Sequence, residues 1–247
     1  QSSLQRGAQL FVNYCLSCHS AAFMRYNRLG RDLGIPEDVL KANLMFGTDK
    51  IGETMTIAMQ PQEAEQWFGV APPDLSVTAR ARGASWLYTY FMTFYRDPAR
   101  PTGVNNLAFK DVGMPHVLWE LQGWQRPVYG EKAAPDGTVM HTITHLELES
   151  PGLLDADGYR RAVQDLVNFL VYLGEPIKLK RHAIGGWVMV YLLLLLVVVY
   201  LLKREFWKDV DRTRGSFRSF LKAALKNFML NESRDRQRIK RGGGRIP

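Results

Sequence analysis

Ala183 to Leu202 is a run of twenty residues without a charge, A-I-G-G-W-V-M-V-Y-L-L-L-L-L-V-V-V-Y-L-L. As α-helix such a run rises about 30 Å, the thickness of a bilayer's hydrocarbon core. It divides the 247-residue chain into a head before it and a tail after it. Trp187 and Tyr200 lie near its ends, where amphipathic rings prefer the membrane interface. Lys178, Lys180 and Arg181 flank one side, and Lys203 and Arg204 the other. A buried core helix is the alternative, but so long an apolar run between basic flanks suits lipid better. Charge sets the direction. Residues 203–247 hold fourteen Lys/Arg against five Asp/Glu, a balance of +9, which leaves residues 1–202 at −1 of the total +8. By the positive-inside rule the tail is cytoplasmic and the head periplasmic. A near-neutral head also excludes a broad basic face for nucleic acid.

The chain has only two cysteines, Cys15 and Cys18. That is too few and too close for a disulfide framework. They stand in Cys15-Leu16-Ser17-Cys18-His19, the C-x-x-C-H pattern of c-type haem attachment. Two thiols form thioethers to the haem vinyl groups, and the adjacent imidazole reaches the iron from the same side. A thioredoxin-type dithiol needs no adjacent His and sits after a strand. Half a zinc site needs a second ligand pair. His141 and His145 are candidates for it, but Thr142-Ile143-Thr144 favours a strand, which sets the two rings about 13 Å apart. One covalent haem c is therefore expected. Haem attachment and a head outside the cytoplasm agree. The chain opens Gln1-Ser2-Ser3-Leu4-Gln5, without the basic start and apolar core of a signal peptide, and a cleaved mature form is expected.

The head reads as mostly helix and loop. Leu4 to Tyr14 is a short helix leading into the cysteines. Tyr159 to Leu173 is a stronger one, with Val163, Leu166, Val167, Leu170 and Leu173 at helical spacing. Gly7 and Phe11 on the first, with Phe169 and Tyr172 on the second, suit a close crossing of glycine against aromatic. Trp86 to Tyr95 is expected as a helix and Val139 to Leu148 as a short strand pair. Gly174-Glu175-Pro176 ends the last helix of the head. The expected division is a haem head over 1–175, a tether over 176–182, a transmembrane helix over 183–202 and a basic tail over 203–247. In the tail, Phe217, Phe220, Leu221, Ala224, Leu225, Phe228 and Met229 share one face of a basic amphipathic helix over 216–230. Such a helix suits an anionic membrane surface or a partner subunit.

A sixth iron ligand must come from elsewhere, and Met opposite His raises the potential. Among the nine methionines, Met114 in Asp111-Val112-Gly113-Met114-Pro115 is the first choice. Gly lets the backbone approach the haem and Pro stiffens the loop. Met59 is the runner-up, and His116 would make a bis-His haem.

With these residues assembled, the chain resembles the cytochrome c1 family, the haem subunit of the quinol–cytochrome c oxidoreductase (bc1) complex. The resemblance covers about residues 1–210. It is carried by C-L-S-C-H-S with Arg25-Tyr26-Asn27-Arg28-Leu29, by Ala71-Pro72-Pro73-Asp74-Leu75-Ser76 with Arg80-Ala81-Arg82, by Gly113-Met114-Pro115, and by one C-terminal span. It implies a mostly α fold: a cytochrome-c-like haem head with long loop insertions, plus one C-terminal transmembrane helix. Met114 matches the family's axial ligand. Arg82 matches an arginine that pairs with a haem propionate, for which a guanidinium fork is suited. Pro72 and Pro73 would wall the haem pocket. Some family members have a disulfide in the head, which this chain cannot form, and the tail beyond about residue 212 is not part of the family's pattern.

The implied function is electron transfer without bond chemistry on a substrate. One electron comes from the Rieske iron–sulfur protein and passes to a c-type cytochrome, while quinol oxidation belongs to cytochrome b. A dimeric complex in a bacterial inner membrane, respiratory or photosynthetic, is expected. Glu63, Glu65, Glu147 and Glu149 are candidates for steering a basic acceptor. The rival readings are another membrane-anchored monohaem cytochrome, such as a terminal oxidase subunit, a haem-based sensor, and a redox thiol protein.

Overall fold

The computed structural model describes residues 2–133 and 139–203, with Lys222, Ala223, Lys226 and Leu230 beyond them. The amphipathic helix expected over 216–230 therefore lies, but for those four residues, outside the described residues. The chain divides into two compact units, Gln1–Lys178 and Leu179–Pro247.

In the first unit, α1 (Ser2–Tyr14) buries Gly7, Ala8, Phe11 and Val12, a helical stripe that ends at the cysteines. Beyond the cysteines, β1 (Ala21–Arg25) runs into α2 (Tyr26–Leu33), and α3 (Glu37–Leu44) follows. β2 (Thr54–Met55) pairs antiparallel with β1. Three short helices come next: α4 (Pro61–Phe68), started by proline at its first turn, α5 (Thr78–Arg82) and α6 (Ala84–Met92). β3 (Phe94–Arg96) pairs with β4 (Val104–Asn106). The one-turn α7 (Trp119–Gln122) leads into a long hairpin of β5 (Gly123–Ala133) and β6 (Val139–Pro151). α8 (Ala156–Gly174) closes the unit. Asp155 caps α8 by accepting from the Gly158 amide at 2.7 Å.

The core is built where α8 crosses α1. A Cβ at residue 7 would collide with the Asp165 carbonyl oxygen and stand 2.7 Å from Phe169 Cβ, so only glycine permits this approach. Phe11 and Phe169 then meet at 5.4 Å. Ser3 and Arg6 both donate to the buried Asp165 carboxylate, fastening α1 along α8. Tyr159 donates to the Phe91 carbonyl at 2.8 Å and ties α8 to α6.

Two segments differ from expectation. The helix expected over Trp86–Tyr95 stops at Met92, and Phe94–Arg96 turns into strand. The side chains of Gln122 and Gln125 both donate to the Met92 carbonyl, which draws the chain out of the helix there. Val139–Leu148 is not a strand pair in itself. It is part of one strand whose partner, Gly123–Ala133, is interrupted by Pro127 and Gly130 and so shows no clean alternation. An isolated hairpin has only edge strands, where a residue without a donor is tolerated. On this hairpin Glu147 pairs with Arg126 and Glu149 with Arg96, so neither is an unpaired acidic group.

The second unit is known through α9 (Lys178–Lys203), whose 26 residues rise about 39 Å. Lys178–Tyr200 has a mean hydropathy of 2.4, and none of that stretch is buried within the protein. The α9 stretch 183–202 is apolar on all sides, with no burial among the described residues, and is suited to lipid.

Candidate functional site

α1 delivers the two cysteines. Its last turn tightens as the Cys15 carbonyl accepts from the amides of both Cys18 (3.0 Å) and His19 (2.8 Å). This closed turn sets Cys15, Cys18 and His19 close together. Cys15 is buried, and burial pushes its thiol up to about 12. A thiol so held carries almost no thiolate at neutral pH, the opposite of a reactive dithiol or a thiolate metal ligand.

His19 is held from the other side by the P-P-D-L-S stretch. Its Nδ1–H donates to the Pro73 carbonyl at 2.7 Å. A carbonyl only accepts, so the proton sits on Nδ1 and the Nε2 lone pair is left for a metal. Burial lowers the imidazole pKa, with Pro73 and Asp74 opposing, which keeps the ring in its ligating neutral form.

The same stretch continues alongside the residues after His19. The Leu75 amide donates to the Ser20 carbonyl (2.8 Å). The Ala22 amide donates to Asp74 Oδ2 (2.8 Å), and the Phe23 amide to Ser76 Oγ (3.1 Å). Asp74 Oδ1 also accepts from the Ser76 amide at 2.8 Å, which stiffens the turn. From the sequence, Pro72 and Pro73 were expected as pocket walls. Asp74 and Ser76 were missed as the residues that anchor the haem motif. Their Asx-type spacing, Asp followed two residues later by Ser, was the available signal.

One cleft brings these elements together. It is lined by Cys18 and His19, by Phe68, Val70, Pro72 and Pro73, and by Gly113, Met114, Pro115 and Val117. His19 and Met114 are its only groups suited to coordinating iron besides the Cys18 thiol. A Cβ on Gly113 would stand 3.0 Å from Val70 Cγ1, so glycine lets the Met114 loop close against the wall. Met59 and His116 do not line the cleft. His116 is buried elsewhere, stacked on Phe94 with ring centroids 4.9 Å apart. Arg82 does not line it either: its guanidinium lies over Trp86 (4.9 Å) and Phe109 (5.8 Å). Trp86 stacks on Tyr90 at 5.1 Å, and the Tyr90 hydroxyl donates to Met114 Sδ at 3.4 Å. Arg82 is thus linked to the Met114 sulfur through two rings. Tyr90 is the second residue missed from sequence, hidden in an aromatic run that reads as core.

An apolar cleft with a neutral imidazole, a thioether and the Cys18 thiol on its walls, and the buried Cys15 three residues before Cys18, fits a haem. Comparison with known proteins agrees. Residues 1–123 and 155–210 match the Cytochrome C1 family. The chain is 50% identical over 210 residues to cytochrome c1 of Allochromatium vinosum, covering 85% of each chain. It is 50% identical over 210 residues to a Nitrosomonas europaea protein named ammonia monooxygenase gamma subunit, covering 85% of this chain and 84% of that one. Cytochrome c1 of Rhodospirillum rubrum is 27% identical over 230 residues, 85% of this chain and 82% of the relative. With the haem-fitting cleft and a match across most of its length, the chain belongs to the cytochrome c1 family, the electron-transferring haem subunit of the bc1 complex.

Proposed function

We propose that this chain is the one-electron relay of a bc1 complex, taking an electron from a Rieske iron–sulfur protein and passing it to a c-type cytochrome. Haem c, joined through Cys15 and Cys18 and ligated by His19 and Met114, supplies a ferric/ferrous couple. The observation that carries this reading is the placing of His19 and Met114, 95 residues apart in sequence, on one apolar cleft beside Cys18. The protein's own work is threefold. Pro73 holds the His19 tautomer. The apolar walls exclude water and so would disfavour the extra positive charge of a ferric haem, which raises the potential. The thioether adds no charge of its own. Arg82 would pair with a haem propionate by leaving or sharing its seat over Trp86 and Phe109. Residues 1–175 form the periplasmic head, 176–182 the tether, 183–202 the membrane anchor and 203–247 a cytoplasmic tail, in a dimeric complex with cytochrome b.

Purification of the full chain from its membrane tests this. A c-type pyridine haemochrome, with cytochrome b and a Rieske protein accompanying the chain, is expected. Absence of both partners overturns the bc1 assignment. A second reading has one observation in its favour, the relative named for ammonia monooxygenase. Under it, subunits of that oxygenase accompany the chain instead.

A further inference from the structure

We propose that two adjacent asparagines of β4, Asn105 and Asn106, are positioning residues that hold the Met114 sulfur in the cleft. The proposal rests on the reading of Met114 as the axial ligand. Both side chains are buried, at 4% and 1% exposure, and neither entered the site expected from sequence.

Asn105 Oδ1 accepts from the Asp111 amide at 2.9 Å, three residues before Met114. Its Nδ2 donates to Asp97 Oδ2 at 2.9 Å, so the amide is locked at both ends. Asp111 is the one non-glycine among the described residues with a positive φ, +60°. L-residues disfavour that conformation, and it persists only where neighbours impose it. Here it turns the chain toward Gly113 and Met114. Arg100 completes the clamp from the surface: Nη2 donates to the Asp111 carbonyl (3.1 Å) and Nη1 pairs with Asp111 Oδ1 (3.0 Å).

Asn106 holds the start of the same loop. Its Oδ1 accepts from the amides of Ala108 (2.8 Å) and Phe109 (3.1 Å), while Nδ2 donates to the Tyr90 carbonyl at 2.7 Å. Tyr90 is the residue whose hydroxyl meets Met114 Sδ. After Leu107, whose amide donates to the Thr93 carbonyl at 3.2 Å, residues 108–111 pair with no strand among the described residues, and these two side-chain amides stand in for one. A buried asparagine offers both a donor and two acceptor sites, which no apolar residue of that size supplies. Methionine is flexible about three bonds and its sulfur binds weakly, so the place of the sulfur depends on the loop that carries it.

The test uses the haem-loaded full chain with Asn105→Ala, Asn106→Ala, Arg100→Ala and, alongside, Met114→Leu. It reads carbon monoxide binding to the reduced protein, the sulfur-to-iron charge-transfer band of the oxidised protein, and amide exchange at Ala108, Phe109 and Asp111. Both asparagine variants should keep covalent haem, lose intensity in the band and take up carbon monoxide, with about tenfold faster exchange at Asp111 in Asn105→Ala and at Ala108 and Phe109 in Asn106→Ala. Faster exchange with a parental band and no carbon monoxide uptake makes the pair merely structural and overturns the proposal. Where the asparagine variants do not accumulate, Arg100→Ala decides, because Arg100 is half-buried and lies outside the apolar core. A weakened band supports the proposal and a parental band overturns it. Met114→Leu separates the two readings: if it too stays inert to carbon monoxide, the ligand assignment itself is wrong.

Discussion

Tyr90 donates its hydroxyl hydrogen to the Met114 sulfur across 3.4 Å, and three aromatic neighbours aim it there. Trp86 stacks on its ring at 5.1 Å, and Phe91 and Phe94 pack edge-on at 5.5 and 5.0 Å. Burial raises the phenol's pKa, so it stays a donor at every working pH. With Met114 as the proposed ligand, a hydrogen bond to the thioether would withdraw electron density from the sulfur and weaken its donation to ferric iron, which favours the reduced state. Tyr90→Phe keeps the ring stack and removes the donor. A redox titration should show the potential falling by roughly 20–60 mV, the one-electron equivalent of a hydrogen bond worth about 0.5–1.4 kcal/mol. An unchanged or higher potential would mean that this contact does not tune the site.

His116, the discarded bis-His candidate, gives the head a sensitivity to acid. It is 5% exposed, stacked on Phe94, and its Nε2 has no hydrogen-bond partner among the described residues. Burial lowers its pKa from 6.5 to about 4, with Gln122 opposing. Between those values the unfolded chain binds the proton and the folded chain does not, so stability rises with pH across that window. It is complete above about pH 6.5 and declines by up to about 3 kcal/mol as pH falls to 4. His19 shifts in the same direction when free of metal. The measurement is therefore the difference in urea midpoint between parent and His116→Phe. The variant should hold its stability better from pH 6.5 down to 4, and parallel curves would remove His116 as the cause.

What the sequence disclosed, and what it withheld, follows the range of the interactions. The motif around Cys15, Cys18 and His19, the crossing at Gly7, the last helix of the head and the apolar helix all rest on local spacing or on residues with few alternative uses. The Gly113–Met114–Pro115 loop was recognisable because glycine and proline punctuate it. Asp74, Ser76, Asn105, Asn106 and Tyr90 were not, because each acts through a partner distant in the chain. Asn106 reaches back sixteen residues to Tyr90, and Asp74 fifty-two to Ala22. A polar side chain becomes a spacer or an anchor only when the fold supplies its counterpart. The β5 strand escaped notice for the complementary reason: its pairing with β6, and not its own pattern, makes it a strand.

The Asp74 carboxylate joins the haem motif to the loop that holds His19, since it accepts from Ala22 and from Ser76 at 2.8 Å each. Asp74→Ala leaves both amides without that partner. Asp74 is exposed, so water replaces part of what is lost, and about 1–2 kcal/mol of stability should go. Asp74→Asn keeps one acceptor and should fall between the two. Chemical denaturation of the haem-loaded protein reads this directly. A further expectation is slower covalent haem attachment in the Ala variant, because His19 is then less firmly placed beside the cysteines. Equal stability for all three proteins would leave Asp74 without an anchoring role.

The apolar helix should tolerate one charge but not two. Residues 183–202 contain thirteen Leu, Ile and Val. At about −0.3 to −0.6 kcal/mol each, these favour insertion by about 4–8 kcal/mol. A single arginine at the centre costs about 2.5–3.5 kcal/mol, which does not reverse the balance. Leu194→Arg should therefore stay in the membrane fraction after an alkaline wash. Leu194→Arg combined with Val197→Arg costs about 5–7 kcal/mol, comparable to the whole driving force. Most of the double variant should then be released by the wash with its head intact and its haem spectrum unchanged. If even the double variant stays behind, contacts with a partner subunit, and not lipid alone, hold the chain at the membrane.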